Sequence, residues 1–224
     1  MKSLLENDLP SYYNVGRRCE CDELTTSKIR FDLTEDDKSF IVDYKKGYAS
    51  FCGNQYQMSV LNYDTYIQKF EGTRIAGNKR RCDFILTDSN SDDIVILCEV
   101  TSSIGNVENL SRPIFKAKKD GTKVIMFPNG KYEKAELQLY QSLENIIAVP
   151  SIKTYIENKK RKVCLMSYLI KPAEDKAVSA FNRNRETEAD EAGENGAQIS
   201  LPQVEQYGFL YYRISHSYSF KIKA

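Results

Sequence analysis

The sequence predicts an α/β fold in which a central mixed β-sheet is flanked by helices. Two apolar, β-branched runs are separated by TDSNSDD, a stretch dense in turn formers, which predicts an antiparallel hairpin with strands at 80–87 and 94–101. The segment 131–150 has the apolar periodicity of an amphipathic helix, and the apolar segment 162–170 is typical of a buried strand. Strands and helices that follow one another in this way favour an α/β architecture.

Composition limits the classes of function. The chain has 224 residues, of which 41% are hydrophobic, enough for a core of ordinary size. Its 32 Lys and Arg residues balance 31 Asp and Glu residues, so any binding of nucleic acid needs a local basic patch. No apolar run is long enough to cross a bilayer, and acids interrupt the first residues, so we expect a cytoplasmic protein without a membrane partner. The six cysteines predict no disulfide framework, and a lone histidine, His216, argues against a Ser-His-Asp triad.

Residues 1–72 are interpreted as an N-terminal extension of helix and strand that packs on the core. Residues 1–38 are polar and predict irregular structure or short elements. Residues 39–44 and 48–52 have a strand composition. Residues 55–70 carry apolar side chains at roughly helical spacing, which predicts a helix.

Alternation along the hairpin sorts its side chains onto two faces. One face is apolar and holds Cys82, Phe84, Leu86, Ile94, Ile96, Cys98 and Val100. The other face holds Ile85, Val95 and Leu97 in its middle and Asp83, Glu99 and Thr101 at one end. With the turn centred near Ser91, Asp83 and Glu99 are cross-strand neighbours whose Cβ atoms lie about 4.5 to 5.5 Å apart.

Two carboxylates at that separation can share a hard divalent cation that keeps some of its water ligands. Magnesium is the expected ion. It would polarise a phosphodiester and lower the pKa of its bound water. The alternative is that Asp83 and Glu99 are ordinary acids that meet solvent or pair with nearby arginines.

The predicted helix at 131–150 has two stripes. The apolar stripe is marked by Tyr132, Ala135, Leu139, Leu143 and Ile146, and the polar stripe by Lys131, Lys134, Gln138, Gln141 and Asn145. A shorter helix at 151–160 follows Pro150. Residues 172–200 are charged and poor in bulky apolar side chains, which predicts a flexible acidic linker. Residues 201–224 regain alternation and are expected to return to the core as edge strands.

The hairpin, helix and strand occur in the order found in one family of phosphodiesterases. RRCDFIL, ILCEVT, AELQLYQSLENI and KVCLMSYLI resemble, in this order, the PD-(D/E)xK nuclease superfamily. The resemblance implies a restriction-endonuclease-like core at 73–171, with N-terminal and C-terminal additions. It implies that Asp83, Glu99 and the carbonyl of Val100 bind the metal, and that an upstream helical acid, here Glu71, completes the site.

One residue departs from that family's pattern. The motif lysine belongs two residues after the glutamate, where this chain has Thr101. In some members the lysine comes from the following helix, which makes Lys131 and Lys134, beside Gln138, the candidates for a migrated lysine. Lysines of the preceding loop are the weaker candidates. The residues expected to track phosphates are Lys79, Arg80, Arg81, Lys116, Lys118 and Lys119.

Three hypotheses remain at this point. The first is a magnesium-dependent nuclease acting on DNA. The second is a catalytically inactive member of the same fold that binds nucleic acid or a protein partner, which Thr101 favours. The third is an unrelated α/β interaction protein in which Asp83 and Glu99 share no role. The sequence does not determine the oligomeric state.

Overall fold

The computed structural model describes residues 1–36, 38–77, 80–101, 114–117, 123–127, 131–168 and 196–223. The helices within these residues are α1 (Lys2–Tyr12), α2 (Tyr63–Gln68), α3 (Lys131–Ile147), α4 (Pro150–Glu157) and α5 (Pro202–Glu205). The strands are β1 (Glu23–Thr26), β2 (Phe31–Leu33), β3 (Ile41–Val42), β4 (Ala49–Cys52), β5 (Met58–Asn62), β6 (Phe84–Asp88), β7 (Ile94–Thr101), β8 (Ile114–Ala117), β9 (Lys123–Phe127), β10 (Arg161–Tyr168), β11 (Ala197–Ile199), β12 (Leu210–Ser215) and β13 (Ser219–Lys221). None of the described helices is both long and apolar enough to cross a lipid bilayer.

A mixed sheet of seven strands forms the centre of the fold, in the order β1-β5-β6-β7-β10-β12-β11. Strands β1, β5, β6 and β7 pair antiparallel, whereas β7, β10 and β12 run parallel to one another. Strands β13, β4, β2 and β3 form a second sheet of four strands, and β8 pairs only with β9 among the described strands.

The seven-stranded sheet has a different partner on each face. One face, with Ile85, Val95 and Leu97, shares a buried cluster with apolar residues of α1 to α5. The opposite face, with Phe84 and Cys98, shares a second cluster with the four-stranded sheet. The predicted mixed sheet with helices against it is therefore confirmed. The helices that the structure describes all belong to one face, because the second sheet covers the other.

The predicted hairpin is confirmed. Strands β6 and β7 pair antiparallel with Phe84 opposite Cys98 and Thr87 opposite Val95, a register that centres the turn on residue 91. The sorting of side chains onto two faces is also confirmed, except for Cys82. Cys82 precedes the first paired residue of β6, and it turns toward the helices because its N–H is bound by a helical serine.

The two predicted helices after the hairpin and the buried strand β10 are confirmed. All five residues of the apolar stripe of α3 are buried. Helix α4 begins at Pro150, where proline is well tolerated because the first helical N–H has no partner within the helix. The last six residues of β10 are buried on both faces of the sheet.

One prediction for the N-terminal part is made more specific, and another is wrong. The short elements expected within residues 1–38 are α1, β1 and β2, and α1 is held by Leu5 and Leu9, which lie four residues apart and are fully buried. The predicted helix at 55–70 is half strand, because β5 inserts between β1 and β6 with all five of its residues buried. Pairing with two neighbouring strands outweighs the local apolar spacing.

The C-terminal predictions are corrected in part. Residues 172–195 of the predicted linker lie outside the described residues, but residues 197–199 form β11 and pair with β12. Of the two strands in the predicted C-terminal segment, β12 is an interior strand between β10 and β11, and β13 lies at a sheet edge, where it pairs with β4. The predicted strand at 39–44 shortens to β3.

A buried ion pair fixes the turn of the β6–β7 hairpin. Lys159, which precedes β10, is 2% exposed, and its Nζ donates to both carboxylate oxygens of Asp88 at 3.2 and 3.3 Å. It also donates to the carbonyl of Ser91 at 2.6 Å, while Asp88 accepts from the N–H of Ile94 at 2.7 Å. A buried ion pair is tolerated when hydrogen bonds satisfy both partners in this way.

We expect Lys159→Met to lower the free energy of unfolding by about 3 to 5 kcal/mol, because Asp88 would stay buried without its cation. Urea denaturation measures the change. The matched control is Lys160→Met, which removes the neighbouring exposed lysine and its ion pair with Asp93 and should leave the midpoint nearly unchanged. Equal effects of the two variants would contradict a structural role for the buried pair.

Candidate metal site at the open end of the β6–β7 hairpin

The predicted carboxylates lie at one edge of the seven-stranded sheet. Strand β6 begins where β7 ends, because the two strands are antiparallel, and β10 and β12 end at the same edge because they are parallel to β7. Asp83 immediately precedes β6, and Glu99 lies two residues before the end of β7. Ligands of α/β proteins commonly bind outside the carboxyl ends of parallel strands.

The carboxylate of Asp83 is oriented by the backbone around it. Its Oδ2 accepts a hydrogen bond from the N–H of Val100 at 2.6 Å. Its carbonyl accepts from the N–H groups of Tyr63 and Asp64, at 2.8 and 3.2 Å, in the first turn of α2. Asp83 therefore joins the start of β6 to the end of β7 and to α2, and its side chain has one fixed direction.

Glu99 points to the helix face of the sheet, in line with Val95 and Leu97. It is 5% exposed, and its Oε2 is buried without a hydrogen-bond partner among the described residues. When a carboxyl group is ionised, a buried oxygen that accepts no hydrogen bond lowers the stability of the folded state. Glu99 is thus the residue of this edge whose bonding is least satisfied within the described part of the chain.

Burial raises the pKa of both carboxyls. The pKa of Asp83 rises from its usual 3.8 to about 7, chiefly through burial and with smaller contributions from the charges of Asp64 and Glu35. The pKa of Glu99 lies well above its ordinary value because of burial and then the charge of Asp83. The charge of Lys134 on α3 opposes both shifts. Without a cation, both shifts therefore favour the protonated form of the carboxyl.

Helix α3 holds the segment that leads into Asp83. Gln141 Oε1 accepts from the N–H of Arg80 at 2.6 Å, and Ser142 Oγ accepts from the N–H of Cys82 at 2.8 Å. Between these two contacts, Gln138 Nε2 donates to the carbonyl of Arg81 at 2.7 Å. We call these three contacts the α3 clamp. Part of the predicted polar stripe therefore binds backbone groups.

Gln138 also contributes to the carboxylate pair. Hydrogen bonding by its side chain lowers the pKa of Glu99, against the larger effect of burial. Its Oε1 is buried and has no hydrogen-bond partner within the described residues. Gln138 therefore places a second acceptor oxygen without a donor beside Glu99.

The structure describes the two candidates for a migrated lysine to different extents. Lys134 is exposed, and its positive charge lowers the pKa of both carboxyls, against the larger effect of burial. The side chain of Lys131 lies outside the described residues, although the residue begins α3. Thr101, which occupies the position of the motif lysine in the PD-(D/E)xK pattern, ends β7 opposite Tyr168. Its side chain carries no positive charge.

The predicted phosphate-tracking residues are described only in part. Arg81 is committed to an ion pair with Asp64, with Nε and Oδ1 2.8 Å apart, and Arg80 is half-buried. Lys79, Lys118 and Lys119 lie outside the described residues, as does the side chain of Lys116 in β8.

The acids of helix α2 and of the segment after it differ in their relation to the carboxylate pair. Glu71 is exposed, and no described contact links it to Asp83 or Glu99. Asp64 in the first turn of α2 is the acid whose charge raises the pKa of both carboxyls. The sequence signal that could have identified Asp64 is Asn62, a residue type that favours the start of a helix. Its side chain accepts from the N–H of Thr65 at 3.2 Å and so marks the start of α2, with Asp64 in the first turn.

Comparisons of the chain with protein-family models, with curated proteins and with solved structures gave no match. Within the described ranges, no group of three or more His, Cys, Asp or Glu side chains is placed to hold a metal ion. The described residues thus offer a pair of carboxylates with the amide oxygen of Gln138 beside Glu99.

The raised pKa of Asp83 predicts a stability that falls as the pH rises. A carboxyl whose pKa is higher in the folded state binds its proton more tightly there, so folding becomes less favourable between about pH 4 and pH 7. With EDTA present at pH 8, we expect Asp83→Asn to raise the free energy of unfolding by roughly 1 to 4 kcal/mol, and by less at pH 5.

Urea denaturation at the two pH values measures this difference, and Glu71→Gln serves as the control for an exposed acid. The asparagine oxygen can still accept from Val100, so the hydrogen bond is retained while the charge is removed. If Asp83→Asn were destabilising by the same amount at both pH values, the carboxylate would have a structural role only.

Proposed function

We propose that this protein is a magnesium-dependent phosphodiesterase of the nuclease-like type that acts on DNA, with Asp83 and Glu99 as the metal ligands. The observation that carries the proposal is the buried Oε2 of Glu99, which has no donor in the described part of the chain although Asp83 lies beside it. A buried acid beside a partly buried one reduces stability, and a cation bound between them would offset that cost.

The residues present fit a hard cation. Carboxylate, carbonyl and amide oxygens are the ligands that Mg²⁺ and Mn²⁺ prefer, and this edge offers Asp83, Glu99, the carbonyl of Val100 and Oε1 of Gln138. Since two carboxylates do not complete a coordination shell, water molecules would occupy the remaining positions. When bound, the cation would polarise a phosphodiester and lower the pKa of a coordinated water.

The surrounding residues have roles that follow from their contacts. The N–H of Val100 orients the carboxylate of Asp83, and the α3 clamp holds the segment before it. The exposed ammonium of Lys134 would stabilise negative charge that develops on the phosphate, which is the role that Thr101 cannot fill.

The order and direction of the elements also support a nuclease-type core. Strand β6 follows Asp83, β7 contains Glu99, α3 packs on the same face, and β10 returns parallel to β7. This is the arrangement that the resemblance to the PD-(D/E)xK nuclease superfamily leads us to expect for residues 73–171.

A second candidate function is a nuclease-fold protein that binds nucleic acid or a protein partner without cleaving. The observation that favours it is Thr101 at the position of the motif lysine, together with the commitment of Arg81 to Asp64. The two candidate functions differ in whether the ammonium of Lys134 takes over the role of the motif lysine.

Metal binding is the first prediction of the proposal. A ligand that binds only the folded state stabilises it, so 10 mM Mg²⁺ or Mn²⁺ at a dissociation constant of ~1 mM should add about 1.4 kcal/mol. We expect the thermal unfolding midpoint of the unmodified chain to rise by a few degrees. Asp83→Asn and Glu99→Gln should lose the shift, and Glu71→Gln should keep it. Equal shifts in all four proteins would exclude this pair as the metal site.

Cleavage is the second prediction. We expect the purified chain to nick supercoiled plasmid with Mg²⁺ or Mn²⁺, and we expect Asp83→Asn with Glu99→Gln to abolish nicking. Lys134→Ala should slow nicking by roughly 100-fold, a typical cost of removing one group that stabilises developing charge. Lys153→Ala, an exposed lysine of α4, is the control. Metal binding without nicking would favour the second candidate, and nicking that survives in the double variant would contradict the proposal.

A further inference from the structure

The turn between β3 and β4 reaches the sheet edge that carries the carboxylate pair. Val100, which binds Asp83, is paired with Ser167 of β10, so their Cα atoms lie on neighbouring strands about 4.8 Å apart. The hydroxyl of Ser167 donates to the carbonyl of Tyr48 at 2.6 Å. Tyr48 is therefore connected to Asp83 through two adjacent strands and lies on the side of the second sheet.

Tyr48 is an exposed aromatic residue on a rigid backbone. Its N–H donates to the carbonyl of Leu33 at 2.8 Å, and its carbonyl is held by Ser167, which is fully buried. Its side chain is nevertheless 37% exposed, one of four large apolar residues exposed to this extent in the described chain. An aromatic ring on a fixed backbone loses little entropy when a base stacks on it.

Lys45 is the exposed cation of the same turn. Its Nζ donates to the carbonyl of Ser217 at 3.5 Å, and it forms no ion pair with a described residue. Its backbone φ is +70°, a left-handed conformation that glycine or asparagine adopts more easily than lysine. Its Nζ also lies 5.4 Å from the centroid of the Tyr44 ring. A lysine at a strained position, whose charge meets no acid among the described residues, is available to an anionic ligand.

We propose that Lys45 and Tyr48 form a contact surface for single-stranded nucleic acid beside the carboxylate pair, with a base stacked on Tyr48 and a phosphate held by Lys45. The inference rests on the proposed function, because it places the substrate strand across the edge where Asp83 lies. An unpaired strand is the favoured occupant, since stacking on one exposed ring requires a base that is free of its partner.

The chain contains matched controls for both residues. Lys46 is adjacent to Lys45 and is also exposed, but it pairs with Asp43, whose Oδ2 lies 3.4 Å from its Nζ. Tyr12 on α1 is 48% exposed and belongs to the opposite, helical layer. Variants at Lys46 and Tyr12 therefore change the same side-chain types away from the proposed contact.

The test measures binding without cleavage. Fluorescence anisotropy in EDTA compares a fluorescent single-stranded DNA oligonucleotide with a single-stranded RNA and a DNA duplex of the same sequence. We expect the single strands to bind more tightly than the duplex. Tyr48→Ala should weaken their binding by roughly 5- to 100-fold, and Tyr12→Ala should not. Lys45→Gly should weaken binding and reduce the salt slope by about 0.7, the value expected for one lost phosphate contact, while Lys46→Ala leaves the slope unchanged.

Lys45→Gly also separates binding from folding. Because glycine adopts the left-handed conformation without strain, the thermal midpoint of Lys45→Gly should be equal to or above that of the unmodified chain. Loss of binding in a variant that is at least as stable supports a contact surface. Tighter binding of the duplex, no binding of any of the three probes, or equal binding by the Tyr48 and Tyr12 variants overturns the inference.

The outcomes also separate this surface from the proposed catalysis. If the unmodified chain does not nick plasmid but loses single-strand binding through Tyr48→Ala, the surface is supported and the catalytic proposal fails. If nicking depends on Asp83 and Glu99 while Tyr48→Ala and Lys45→Gly bind like their controls, the surface is overturned and the catalytic proposal stands.

Discussion

The candidate site depends on the α3 clamp, by which a helix binds the backbone of residues 80–82. These residues precede the first paired position of β6, so their N–H and C=O groups lack strand partners at this point. Buried backbone groups require partners, and Gln138, Gln141 and Ser142 supply them from one side of α3. The clamp thereby brings α3, with Lys134 on its first turn, to the start of β6, where Asp83 lies.

The hairpin is fixed at both of its ends by charged residues, but in opposite ways. At the turn, the charge of Asp88 is fully compensated by Lys159 and backbone donors, so burial there is stable. At the open end, Asp83 has one backbone donor and Glu99 retains an oxygen without a partner among the described residues. The same type of side chain is therefore fully hydrogen-bonded at one end and incompletely hydrogen-bonded, among the described residues, at the other. This difference, more than the presence of acids, distinguishes a candidate site from a stabilising ion pair.

The second sheet gives the edge its other wall. Because helices cover one face and the four-stranded sheet the other, the open end of the hairpin lies between α3 and the turn that precedes β4. The polar groups of α3 act on the carboxylates from the helical side. Lys45 and Tyr48 belong to the turn on the opposite side, and Ser167 links that turn to the central strands through the carbonyl of Tyr48. A strand of nucleic acid that crossed this edge would meet both walls.

The sequence by itself determined the elements whose signal is local. The hairpin, its register and the apolar stripe of α3 follow from periods of two and 3.6 residues, and the register alone made Asp83 and Glu99 neighbours. Only the tertiary structure decided that residues 58–62 form a strand, that β12 is interior, and that the charge of Asp64 acts on both carboxyls. The two strand outcomes depend on pairing between distant segments, such as β12 with β10, and such pairing leaves no period in either segment.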